Sequence, residues 1–249
     1  MDLGISGRSA LIAASSAGLG YATAKALAEA GCRTVISGRN EERLQQAAES
    51  IPGSLPIIAD VSTADGATLL VQEAKAALGS AIDILVTNAG GPPPGTFAST
   101  DVGQYIAALE LNLVSTVAMC KESVQEMQEQ KWGRVLAITS ISVRQPIPNI
   151  MLSNTARAGV TGFLKTMALE VAAEGITVNS IQPGIHATDR VREIYGETDL
   201  EELTNAIPAK KIGSAEDFGK IAAFLCSEHA GFITGAAIPV AGGTYGGLQ

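Results

Sequence analysis

The stretch "SALIAASSAGLGYATAKALAEAG", residues 9–31, decides the fold. Its opening, "SALIAA" (9–14), is small or apolar without alternation, which predicts a short strand buried on both faces. Small residues follow in "SSAGLG" (15–20). A helix is then expected over 18–31, with Gly31 as its stop. A helix opening directly out of a turn of small residues makes a cradle for an anion. Backbone N–H groups approach closely and the helix N-terminus favours negative charge. The plainer alternative is a tight turn with no ligand.

Working outward, the same alternation runs through the chain. Further strands are expected over 33–38, 54–60, 82–90, 133–140, 176–184 and near 236–240. Helices are expected over 40–50 (capped by Asn40), 64–78, about 100–129, about 150–173 and 215–227. Strands that are apolar throughout imply a sheet covered on both faces. Strands alternating with helices imply parallel strands and right-handed crossovers. The predicted fold is therefore α/β, a single domain over 1–249. It is a doubly wound parallel sheet of the Rossmann type with about seven strands and helices on both faces. No repeat or linker appears, and "GGPPPGT" (90–96) reads as a loop within the fold. The segment 186–213 is polar and less regular.

Composition narrows the function classes. Of 249 residues, 46% are hydrophobic and 17% charged, which suits a packed domain rather than a disordered chain. A net charge of −8 argues against nucleic acid and anionic membrane as partners. Three separated cysteines, Cys32, Cys120 and Cys226, read as reduced thiols of a cytoplasmic protein. No signal peptide and no uninterrupted apolar run of the ~20 residues that span a bilayer is seen. With only His186 and His229 present, no metal site is expected.

The second strand ends in "SGRN", where a dinucleotide site meets the adenosine ribose. A carboxylate there selects NAD and an arginine accommodates the 2′-phosphate of NADP. Gly38 and Arg39 occupy the position, with no acid before Glu41, so NADP is expected over NAD. A solvated Arg39 with no ligand is the alternative. "AD" (59–60) and "NAG" (88–90) put small or polar groups at successive carboxyl ends of strands, the edge where open α/β sheets bind ligands.

On these residues the sequence resembles the short-chain dehydrogenase/reductase family, and within it the 3-oxoacyl-(acyl-carrier-protein) reductase-like group. "AASSAGLG" (13–20) is similar to the family's T-G-x-x-x-G-x-G turn and "TNAG" (87–90) to its N-N-A-G. "ELNLVS" (110–115) resembles the segment of the active-site Asn, and "GRVLAITSIS" (133–142) the strand ending in the active-site Ser. "NSIQPGIHAT" (179–188) resembles the P-G-x-x-x-T segment over the nicotinamide, and "ITGAAIPVAGG" (233–243) the C-terminal strand and turn. The resemblance implies an NADP-dependent oxidoreductase of a small carbonyl or alcohol, such as a 3-oxoacyl group, assembled as a homotetramer. It implies cofactor contacts at Ala14, Ser16, Gly18, Leu19, Gly20, Arg39, Asp60, Val61, Asn88, Ala89, Gly90, Pro183, Gly184 and Thr188. Segment 186–213 would be the substrate loop.

The family's machinery is Asn-Ser-Tyr-Lys. Asn112 and Ser140 match its first two members. The Tyr follows the Ser by thirteen residues and the Lys comes four later; counting from Ser140 gives Ser153 and Arg157. "ARAGVTGFLKTMALE" (156–170) matches the following helix without a gap, which fixes the alignment. The turn also carries Ala13 and Ala14 for the usual Thr and Gly, which raises the question of whether residue 14 needs φ > 0.

A Ser hydroxyl is far less acidic than a phenol, and it ends short of where the ring would reach. Losing positioned acid–base help costs ~10²–10⁴-fold, about 3–5 kcal/mol. Arg157 keeps the positive charge but does not give up a proton. His186 and Tyr195, in or beside the segment over the nicotinamide, are the remaining candidate donors, each with packing as the plainer role. Three readings stay open: an oxidoreductase with a non-standard proton donor, a catalytically silent NADP-binding sensor or scaffold, and an interaction module without nucleotide.

Overall fold

The computed structural model describes residues 1–188, 191 and 200–248. Seven strands form one sheet in the order β3-β2-β1-β4-β5-β6-β7, all parallel. They are β1 (Ser9–Ile12), β2 (Arg33–Gly38), β3 (Leu55–Ile58), β4 (Ile84–Thr87), β5 (Gly133–Ile138), β6 (Ile176–Pro183) and β7 (Ala237–Val240). The order reverses between β1 and β4, which opens a crevice at their carboxyl ends.

Helices cover both faces as the sequence predicts. One face holds α3 (Ala64–Leu78), α5 (Ser115–Gln130) and α6 (Met151–Val171), packed on Leu11, Val35, Leu85, Val135, Ala137 and Val178. The other holds α1 (Gly18–Glu29), α2 (Glu41–Ser50) and α8 (Ala215–Leu225), packed on Ile12, Ile36, Val86, Leu136, Ile138 and Ile181. Strand side chains alternate between the two clusters with period two, the condition for a sheet buried on both sides. A shorter helix, α7 (Leu200–Ala206), follows the loop beyond β6.

Local signals set the element ends. Gly31 takes φ +88° and donates its N–H to the Ala28 carbonyl after α1. Asn40 accepts from Arg43 N at 2.8 Å and caps α2. Strand β3 departs from expectation: it lies at the sheet edge, with Leu55, Pro56 and Ile58 exposed. Pro56 is tolerated there because an edge strand need not donate on its outer side. The helix expected over 100–129 begins as α4 (Val102–Leu109), passes through a π turn at Glu110–Val114 and continues as α5. Together they make a 29-residue helix, Val102–Gln130, long and apolar enough by composition to cross a bilayer. In this fold it is packed beside α3 and α6.

Candidate active site

The turn after β1 is tied to its neighbours at its first three residues. Ala13 N donates to the Val86 carbonyl, and Ala14 N to Ser37 Oγ at 3.0 Å. Ser15 N donates to the Ser37 carbonyl at 2.7 Å. The Asn88 amide donates to the Ala14 carbonyl at 2.9 Å, so the end of β4 holds the turn from the far side. Held this way, Ala14 adopts φ +46°, the left-handed conformation that favours glycine. Gly18 takes φ +61° as α1 begins. A Cβ on Gly20 would lie 2.7 Å from the Ala14 carbonyl oxygen and 2.8 Å from the Asn88 amide nitrogen. Only glycine lets α1 start this close to the turn. The first turn of α1 has no side-chain cap and no acidic residue, so its N–H groups keep their positive potential.

The other residues expected at the nucleotide site gather around this turn. Ser16 packs on Gly38, where a Cβ would meet Ser16 Oγ at 2.9 Å. Arg39 and Asp60 face each other at 3.9 Å, both largely exposed. Val61 is buried beside them in sequence, and Leu19 packs on the α1 side of the core. Ala89 lines the opposite core and Gly90 is exposed. Pro183 and Gly184 end β6, and Gly184 N donates to the Val240 carbonyl. Thr188 reaches back to the turn, with Cγ2 3.7 Å from where a Gly18 Cβ would be.

Ser140 stands just past β5, where its Oγ accepts from Ser142 N at 3.1 Å and its own proton has no acceptor among the described residues. Asn112 sits in the π turn, whose extra residue swells the helix inward; it is 5% exposed and donates to the Gly90 carbonyl at 3.0 Å. Ser153 is buried in the first turn of α6 and accepts from Arg157 Nε at 3.3 Å. Arg157 turns toward β5: one terminal nitrogen lies 3.1 Å from the Ile138 carbonyl and 3.2 Å from that of Thr139. The guanidinium thus braces α6 against the strand that presents Ser140.

His186, a candidate proton donor on sequence, lies elsewhere. It is buried edge-on to Phe218 of α8 at 5.1 Å, bridged through its backbone to Gly213. Its Nδ1 sits 3.2 Å from the Gly184 carbonyl. Desolvation lowers its pKa, keeping the ring neutral, on the sheet face away from Ser153. Tyr195 lies outside the described residues. The other tyrosines are engaged elsewhere: Tyr21 with Ser50, Tyr105 with Thr100, and Tyr245 beneath Arg144. Sequence reasoning missed Ser37, which anchors Ala14, and Gln182, a polar residue inside an apolar strand.

A parallel sheet with a glycine-dependent turn at its switch point, an uncapped helix N-terminus and polar side chains along one edge defines a Rossmann-like α/β protein. A family model described as "Enoyl-(Acyl carrier protein) reductase" matches residues 13–245. The chain belongs to the short-chain dehydrogenase/reductase family of oxidoreductases. It is 33% identical to 3-oxoacyl-(acyl-carrier-protein) reductase FabG from Haemophilus influenzae, over 96% of this chain and 98% of that protein. It is 32% identical to human dehydrogenase/reductase SDR family member 4, over 94% of this chain and 86% of the relative. The structure of L-sorbose reductase from Gluconobacter frateurii, complexed with NADPH and L-sorbose, superposes with a TM-score of 0.95 at 31% identity, covering both chains fully.

Proposed function

We propose that this chain is an NADPH-dependent oxidoreductase of a small carbonyl or alcohol, such as a 3-oxoacyl group. In this reading Ser153 and Arg157 replace the family's Tyr and Lys. The observation that carries it is the uncapped, acid-free start of α1, which Gly20 lets begin directly against the turn after β1. This suits a pyrophosphate. Arg39, whose long exposed contact with Asp60 is worth little, is available to a 2′-phosphate. NADPH-bound L-sorbose reductase and an NADPH-dependent reductase involved in bacilysin biosynthesis, 27% identical with a TM-score of 0.93, support the choice of cofactor.

When bound, the cofactor supplies the hydride. Ser140 donates its free hydroxyl proton as a hydrogen bond to the substrate carbonyl and polarises it. Asn112 fixes the Gly90 end of the cleft through its amide. Arg157 holds the Ser140 strand end in place and adds positive potential as negative charge develops on the substrate oxygen. Exposed apolar residues on α4 to α6, including Val102, Ile106 and Leu169, suit a helical interface in a homotetramer.

A second reading, a catalytically silent NADP-binding sensor or scaffold, is favoured by one feature: Arg157 is engaged with backbone carbonyls and Ser153. NADPH fluorescence titration followed by a carbonyl panel separates the two. The reductase reading expects saturable binding and NADPH oxidation that Ser140→Ala lowers at least tenfold. Tight binding with every carbonyl silent refutes it in favour of the sensor.

A further inference from the structure

A cavity of about 180 Å³ lies between the loop after β6, α8 and the turn after β7. Ile185, Ile207, Phe218, Ile221 and Val240 give it an apolar wall. The charged residues that line it, Lys211 and Asp217, are exposed, so charge stays at the solvent side. Phe218 and Val240 belong to the cluster under α1 and α8, so the cavity is on the opposite face of the sheet from α6 and Ser153. Neither Ser140, Asn112, Ser153 nor Arg157 lines it. One polar side chain does so from within the core: His186, which is 4% exposed.

The tautomer of this ring follows from its one hydrogen bond. Nδ1 lies 3.2 Å from the Gly184 carbonyl oxygen, and a carbonyl only accepts, so Nδ1 carries the proton. Burial keeps the ring neutral, which leaves Nε2 a bare lone pair. Nε2 has no hydrogen-bond partner among the described residues, yet it is not one of the polar atoms sealed from solvent: it keeps accessible surface, and the cavity is the space the ring lines. Gly213 leaves that edge of the ring clear. A Cβ there would lie 2.6 Å from His186 Cδ2 and 2.8 Å from Nε2. The ring is also fixed in place, edge-on to Phe218, with Gly213 N donating to the Ile185 carbonyl and Ala187 N to the Gly213 carbonyl. A fixed acceptor in an apolar wall binds a donor without first having to be ordered.

We propose that this cavity is a second binding site, for a small apolar molecule bearing one hydroxyl, whose O–H donates to His186 Nε2 while its carbon body packs on Ile185, Ile207 and Phe218. Size sets the upper limit. An apolar cavity of about 150 Å³ accommodates benzene, so this one takes a single ring with its hydroxyl, or an alcohol of similar bulk. A ligand carrying a full charge is excluded, because the wall around the ring offers it no partner. The site does not depend on the reductase reading, since it shares no residue with the Ser140 cleft.

Phenol and toluene are the probes, a matched pair that differs by the hydroxyl. The chain has two histidines, so the imidazole ¹⁵N signals of the wild-type protein are assigned by the pair lost in His229→Gln, a change on an exposed residue away from the cavity. Phenol should saturate with a Kd on the order of 1 mM and shift the Nε2 signal of His186 while leaving those of His229 in place. In His186→Phe, which keeps the ring and removes the acceptor, the affinity for phenol relative to toluene should fall about tenfold. Ile221→Trp, on the exposed side of the wall, should fill the space and abolish binding of both probes, and it serves if His186→Phe does not fold. The proposal is overturned by phenol that fails to saturate, by phenol that binds without moving the His186 signals, by an unchanged phenol-to-toluene ratio in His186→Phe, or by wild-type phenol affinity in Ile221→Trp. Water that phenol does not displace from the ring, seen by cross-relaxation, overturns it equally, as a hydrated cavity only.

Discussion

Replacing Ala14 with glycine should stabilise this protein, against the usual direction of such a change. Ala14 is held at φ +46° by Ser37 through its N–H and by Asn88 through its carbonyl. An L-residue with a Cβ pays about 1–2 kcal/mol for that conformation. Glycine pays nothing there but gives the unfolded chain more freedom, worth about 0.4–1 kcal/mol. The difference is a net gain of about 0.5–1 kcal/mol. For a chain of this size that raises Tm by about 1–4 °C. Scanning calorimetry on Ala14→Gly measures it, and Gly18→Ala is the matched opposite. Gly18 sits at φ +61° with Thr188 no closer than 3.7 Å, so conformation rather than a clash should set its loss. NADPH should bind Ala14→Gly at least as tightly as wild type, because the turn already has its shape. A lower Tm in Ala14→Gly with no loss in Gly18→Ala would refute the reasoning, since neither residue would then be in the left-handed region.

Arg39→Ala should weaken NADPH about tenfold and leave NADH unchanged, read by fluorescence titration; equal losses for both would show that Arg39 does not meet the 2′-phosphate. The thiols of Cys32, Cys120 and Cys226 are pushed up to about 12, chiefly by burial. At pH 8 the thiolate fraction is on the order of 10⁻⁴, so a thiol reagent should find none in the native protein and all three in denaturant. His186 has a folded-state pKa below its ordinary value of 6.5, because burial disfavours the charged ring. The unfolded chain therefore binds the extra proton first, and this residue's contribution to stability is lost as pH falls below about 6.5. Denaturation midpoints for His186→Phe should decline less steeply over that range than those of the wild type.

The fold was legible because its signals are local. The turn at 13–20, the Gly31 stop and the Asn40 cap each act within a few residues of themselves, and the apolar runs marked the strands directly. What failed depended on partners distant in sequence. Strand β3 reads as buried, but its place at the edge follows from the sheet order, which no feature of "SLPIIAD" encodes. His186 reads as a cleft residue from its place after "PG". Its direction is set by the bridge to Gly213 and the Phe218 ring, contributed by segments far along the chain.

The same distinction bears on Ser153 and Arg157. Their identities were legible, and so was their four-residue spacing, which puts both on one face of α6. Their geometry was not. Read from the resemblance, an arginine in the lysine position keeps the positive charge at the site. In the structure its guanidinium turns to the carbonyls of Ile138 and Thr139 instead. Those carbonyls belong to the strand end that presents Ser140, so a change on α6 is felt at Ser140 through backbone.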